Sequence, residues 1–142
     1  MTTTTTQIAV FLKNVPGALH AMLRALTDER INIEGLMISD AADHAVVRLV
    51  VDSPSKVLHL LGDRGAMVVE SEIIDHEMAN RPGELLTLSG KLAHGGINIA
   101  YIYGSTPKRG TRARIFIHTD DDAKVLRLLG KRRAGRPAAR RR

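Results

Sequence analysis

The apolar positions of this chain change period several times, and each change marks an element. Gln7–Lys13 (QIAVFLK) is rich in β-branched and aromatic residues and predicts a strand. Leu19, Met22, Leu23 and Leu26 then recur at helical spacing, which gives one apolar face. Asn14-Val15-Pro16-Gly17 opens that helix. Asn is the expected N-cap, and Pro fits the first turn, where its missing N–H would have no partner anyway. Ile31–Ile38 predicts a second strand and Asp40–Asp43 a turn. Ala45, Val47, Leu49 and Val51 alternate along a third strand, with Arg48 on its other face. Ser53-Pro54-Ser55 starts a second helix carrying Val57, Leu58, Leu60 and Leu61, and Met67–Met78 is one extended stretch. The order is β-α-β-β-α-β, the ferredoxin-like arrangement of an antiparallel sheet with helices on one face.

The same pattern then repeats. Asn14-Val15-Pro16-Gly17-Ala18-Leu19 returns as Asn80-Arg81-Pro82-Gly83-Glu84-Leu85, and Ile31-Asn32-Ile33 returns as Ile97-Asn98-Ile99, both 66 residues on. Leu85, Leu88 and Leu92 predict the matching helix face. Lys56–Gly62 returns as Lys124–Gly130 at an offset of 68, which Ala45/Ala113 and Asp52/Asp120 share. The two extra residues belong in the turn-like segment Thr106–Gly110. The third strand of the second copy carries Ala113, Ile115 and Ile117 on one face and Arg114, Phe116 and His118 on the other.

The expected fold class is therefore α+β: two ferredoxin-like units in tandem, the second lacking its last strand. In the place of that strand stands Gly135-Arg136-Pro137, which disfavours one. The expected organisation is a disordered Thr-rich N-terminus (1–6), a first domain (7–72), a truncated second domain (73–130) and a disordered basic tail (131–142). A sheet edge left open by the missing strand would recruit a second copy or another protein.

Composition narrows the chemistry. The 142 residues hold 44% hydrophobic residues, ordinary for a globular chain, and no apolar run long enough to span a membrane. The N-terminal MTTTTTQ does not resemble a secretory signal, so the cytoplasm is the expected compartment. There is no cysteine, which excludes disulfides, thiolate nucleophiles and cysteine metal sites. The net charge of +6 suggests a nucleic-acid partner. Its distribution argues otherwise. Residues 131–142 carry seven basic residues and no acid; removing them from the 21 basic and 15 acidic residues leaves 14 and 15, a net of −1.

The recurring residues suit a small zwitterion. A helix N-terminus offers free N–H groups and positive dipole to a carboxylate. Gly17 and Gly83 allow close approach of a ligand, and Asn32 and Asn98 both donate and accept hydrogen bonds. The same residues also suit a purely structural role, with Asn capping, Pro starting, Gly turning and Asn32 at a corner.

The pattern N-x-P-G-x-L, then I-N-I, on a βαββαβ unit resembles the ACT domain family, and its duplication resembles stand-alone two-ACT proteins. Glu70-Ser71-Glu72-Ile73-Ile74 through Glu77–Gly83 is similar to their inter-domain strand and second ligand loop. The resemblance covers 7–130. It implies a non-catalytic regulatory module that binds a free amino acid between ACT units, with no cofactor and no metal. It implicates Asn14, Val15, Pro16, Gly17, Asn32 and Ile33 in the first copy. In the second it implicates Asn80, Arg81, Pro82, Gly83, Asn98 and Ile99. Many members have Asp where this chain has Asn14 and Asn80, and Arg81 offers a ligand carboxylate a partner that Val15 does not. A homo-oligomer, or an unidentified protein partner, is the expected assembly.

Other classes have less behind them. The six histidines form no metal-binding spacing such as HExxH. His59 is replaced by Arg127 in the second copy, which marks an exposed position. His76 and Glu77 are strand neighbours and point to opposite faces, and His94-Gly95-Gly96 fits a helix C-terminus. The aromatics Phe11, Tyr101, Tyr103 and Phe116 form no RNA-binding motif. The alternative function is a protein-interaction or weak nucleic-acid-binding module, acting through the sheet edge and, nonspecifically, the tail. No membrane partner is expected.

Overall fold

The structure, a computed structural model, describes residues 1–41, 43–105 and 111–134. Its elements run β1 (Thr2–Lys13), α1 (Ala18–Asp28), β2 (Ile33–Ala41), β3 (His44–Val51), α2 (Pro54–Asp63), β4 (Met67–Ala79), α3 (Glu84–His94), β5 (Ile99–Ser105), β6 (Arg112–Thr119) and α4 (Asp122–Ala134). The strand order is β2-β3-β1-β4-β6-β5. The insertion assigned to Thr106–Gly110 lies outside the described residues.

The chain divides into two compact units. The first is Thr5–Glu72; the second is Met1–Thr4 together with everything from Ile73 onward. In the first, β3 lies antiparallel between β1 and β2, with Val10 opposite Val47 and Ile38 opposite the same Val47. Ile8, Val10, Met22, Leu26, Ile31, Val47, Leu49, Val57 and Leu61 form its core. In the second unit, β6 lies antiparallel between β4 and β5, with Ile74 and Ile102 both opposite Ile117. Its core is built from the repeat-related residues Ile74, Leu88, Leu92, Ile97, Ile115, Ile117 and Val125. The alternation along β3 and β6 is thus the cause of both cores: every second side chain meets the helices. Of the apolar face predicted for α3, Leu88 and Leu92 are buried, whereas Leu85 is half exposed.

Two expectations about the termini need correction. Residues 2–6, expected to be disordered, begin β1. Threonine is polar but β-branched, and a polar strand is stable once its backbone is paired. The pairing is visible at Met1, whose carbonyl accepts from Glu77 N–H at 2.8 Å and whose amino group donates to Glu77 O at 3.3 Å. Thr2 Oγ1 lies 2.9 Å from His76 Nδ1. The second copy has no strand after α4 among the described residues, yet the β4 edge expected to be bare there is covered by Met1–Thr4. The sheet ends instead at β2 and β5. At the C-terminus, residues 131–134 of the expected disordered tail continue α4, in keeping with the helix propensity of Lys, Arg and Ala. Residues 135–142 lie outside the described residues.

Candidate functional site

The chain enters α1 and α3 through glycine. Gly17 caps α1 with φ 86°, and Gly83 caps α3 with φ 88°. That left-handed conformation strains most residues with a Cβ, asparagine least. A Cβ on either glycine would meet nothing within 4 Å, so the constraint is in the backbone and the surrounding space is open. This corrects the expected cap. Asn14 and Asn80 stand three residues before the capping glycines, and Pro16 and Pro82 precede the caps instead of starting the helices. A strand that must reverse into a helix within four residues uses a left-handed turn, which leaves asparagine too far back to cap. Asn14 instead donates from Nδ2 to Asp40 Oδ1 at 2.6 Å. Its N–H donates to Asp43 O at 3.2 Å, as Asn80 N–H does to Thr111 O at 2.9 Å. Asp43 is held below the usual carboxyl range by its hydrogen bond with the neighbouring His44, its own backbone N–H and the charge of His44.

The two loops differ in charge. The first turn of α1 holds no acid, and its first helical bond is Ala21 N–H to Gly17 O, at 2.9 Å. The N–H groups of Leu19 and His20 therefore precede the helical ladder. Val15 and Gly17 are exposed beside them. The first turn of α3 holds Glu84. Arg81 donates to its Oε1 from Nε at 3.2 Å and from Nη2 at 2.7 Å. Arg81, expected to be offered to a ligand, is thus engaged within its own loop.

Asn32 and Asn98 are held by repeat-related aspartates. Asn32 N–H donates to Asp52 Oδ1 at 3.1 Å, and Asp52 N–H donates to Asn32 O at 3.1 Å. Asn98 and Asp120 reproduce the pair at 3.0 and 3.1 Å. Sequence reasoning recorded the recurrence of Asp52 and Asp120 but gave them no role; the recurrence was the signal. Both asparagines are exposed. β2 and β5 shift register at matching places, between Ile33 and Gly35 and between Ile99 and Tyr101. Bulges of this kind end regular pairing and re-aim side chains.

The structure does not bring the two halves of the expected site together within a unit. Asn14–Gly17 stands at the start of α1, and Asn32-Ile33 follows its end. Eleven helical residues separate them by about 16 Å. The same holds for Asn80–Gly83 and Asn98-Ile99 across α3.

Sequence reasoning also missed an ion pair on the second unit. Arg114 Nη2 donates to Asp75 Oδ2 at 2.7 Å and Nε to Oδ1 at 3.0 Å, with the guanidinium 4.9 Å from the Phe116 ring centre. Facing residues of β4 and β6 are hard to pair before register is known. Among the described residues no cluster of His, Asp and Glu is arranged to hold a metal.

A model of the ACT domain pair matches residues 2–131. The chain belongs to the ACT domain pair family. Of solved structures, protein BT0572 from Bacteroides thetaiotaomicron is similar at 26% identity, with a TM-score of 0.85 over 93% of this chain and 90% of that one. The aspartate kinase regulatory subunit of Thermus thermophilus shares the fold at 16% identity, with a TM-score of 0.64 over 89% and 91%. That of Thermus flavus does so at 15% identity, with a TM-score of 0.59 over 92% and 95%. No curated protein matched this ACT pair. No helix among its described residues is long and apolar enough to cross a membrane.

Proposed function

We propose that this ACT pair is a non-catalytic regulatory module of the cytoplasm that binds a free amino acid at the loop opening α1. The difference between the two loops carries the reading. The start of α1 presents N–H groups and helix dipole with no acid of its own, whereas Glu84 already occupies the start of α3 and engages Arg81. A ligand carboxylate gains at the first loop and meets repulsion at the second. Val15, Pro16 and Gly17 shape the first loop, and Asn14 braces it against Asp40. Since Asn32 and Ile33 lie at the far end of α1, a ligand that also meets such residues takes them from another ACT unit, as a second copy of the chain would supply. Asn80, Arg81, Pro82 and Gly83 then form a weaker or empty site. Two structural neighbours are regulatory subunits by name, which supports regulation through a partner. A homo-oligomer is favoured by β2, a nine-residue sheet edge with exposed Leu36 and Ile38.

Thermal denaturation with each free amino acid tests the reading. A ligand at about 100 times its Kd adds roughly 2.7 kcal/mol of stability. Gly17→Val is expected to remove that gain and Gly83→Val to leave it, while Gly17→Asn, which tolerates a left-handed conformation, retains most of it. No gain with any amino acid, or a gain indifferent to Gly17→Val, overturns the assignment.

A further inference from the structure

The helix layer of the first unit holds a cavity of about 170 Å³ between α1, α2 and β1. Val10, Met22 and Leu61 line it and are buried; Ala18, Ala21 and Arg64 line it nearer the surface. α1 places alanines where a longer side chain would fill the space. The second copy shows the alternative, with Glu84 in place of Ala18, Thr87 in place of Ala21 and His76 in place of Val10. The apolar hollow is therefore a property of the first copy's own residues and not of the shared fold.

One feature gives it a charge preference. Arg64 stands at the C-terminal cap of α2, and its guanidinium has no acidic partner among the described residues. The hollow is open on the side of Ala21 and Arg64, and its volume is close to the roughly 150 Å³ that a group the size of benzene fills. A carboxylate beside Arg64 would gain charge-assisted hydrogen bonds.

From this we propose that the cavity is a second binding site, for a monocarboxylate with a branched aliphatic or small aryl tail. The tail fills the alanine-lined hollow and the carboxylate meets Arg64. An α-amino acid is disfavoured here, because its ammonium would stand beside the guanidinium. The site is independent of the amino-acid reading given above.

The test uses the full chain with ¹³C-labelled methionine methyls, titrated with 4-methylpentanoate. The Met22 signal is expected to shift saturably, and that of Met78, in the other unit's core, to stay in place. Arg64→Gln should weaken binding about tenfold, the scale of one charge-assisted hydrogen bond, and Arg64→Lys should restore part of it. Ala21→Leu, which exchanges one good helix former for another, should abolish binding. 4-Methylpentanamide and leucine should bind at least about tenfold more weakly than the acid. No saturable shift at Met22, or equal binding of acid and amide with Arg64→Gln silent, overturns the proposal. Arg64→Gln separates the two sites: weakened 4-methylpentanoate binding with the amino-acid effect intact supports this inference, and loss of both effects shows a single shared site and removes it.

Discussion

Arg30 follows α1 with φ 56°, and among the described residues it is the one non-glycine with positive φ. Its counterpart Gly96 has φ 69° at the end of α3. Both positions close the helix in the same way, with Ile31 N–H bonded to Leu26 O and Ile97 N–H to Leu92 O. Arg30→Gly should therefore stabilise the chain by about 1 kcal/mol, the cost of a left-handed side chain less the added freedom of glycine when unfolded. Equilibrium denaturation in urea checks it, and a loss of stability would mean that Arg30 contributes contacts that outweigh its strain. The residue scale was partly legible. Gly17, Gly83 and the paired Asp52 and Asp120 announced themselves by recurring. The partners did not, because Asn14 bonds to Asp40 across 26 residues and Arg114 to Asp75 across 39. Side-chain partners at such separations depend on register, which a single sequence encodes only through burial.

Among the elements, β1 and β4 differ from the rest in serving both units. The N-terminal half of β4 belongs to the first unit and its C-terminal half to the second; β1 gives Met1–Thr4 to the second and the remainder to the first. Helices, strands and their order followed from hydrophobic period and the turn residues between them. The N-terminal strand did not, because five threonines carry no apolar alternation, and only the backbone partner on β4 makes them a strand. Removing residues 1–4 should thus expose the β4 edge. Hydrogen exchange at Glu77, whose N–H bonds to Met1 O, should accelerate at least about fivefold, in line with the loss of a hydrogen bond worth about 1 kcal/mol or more. Self-association should rise as well, as read by light scattering. Unchanged protection at Glu77 would contradict the pairing.

At the scale of the whole chain, the repeat supplies two cores of like design but unlike sensitivity to acid. His76 takes the position that Val10 holds in the first copy. Burial pushes its imidazole below the ordinary value of 6.5, and the Met1 ammonium, Lys91 and Arg112 push it further, against the opposing pull of Asp75. The unfolded chain therefore takes up this proton first as the pH falls. The stability His76 contributes is complete above about pH 6.5 and declines below it, toward the lower folded value. Hydrogen exchange at pH 7.5 and pH 5 should show protection at Ile74 and Ile117 falling more than at Ile8 and Leu49. His76→Gln should remove most of that difference; an equal fall in both units with the histidine in place would refute the assignment.

The sharing of β1 and β4 also bears on inheritance. A gene fragment encoding residues 73–130 would carry a sheet stripped of the strand that borders β4, and one beginning at residue 5 would leave that deficit uncorrected. Recombination that separates the copies thus yields a lineage with an unpaired sheet edge, prone to aggregate, while exchange of the whole pair does not. The duplication is in this sense locked from one side: the first copy is one continuous segment, Thr5–Glu72, whereas the second depends on Met1–Thr4 and cannot be passed on without the start of the chain.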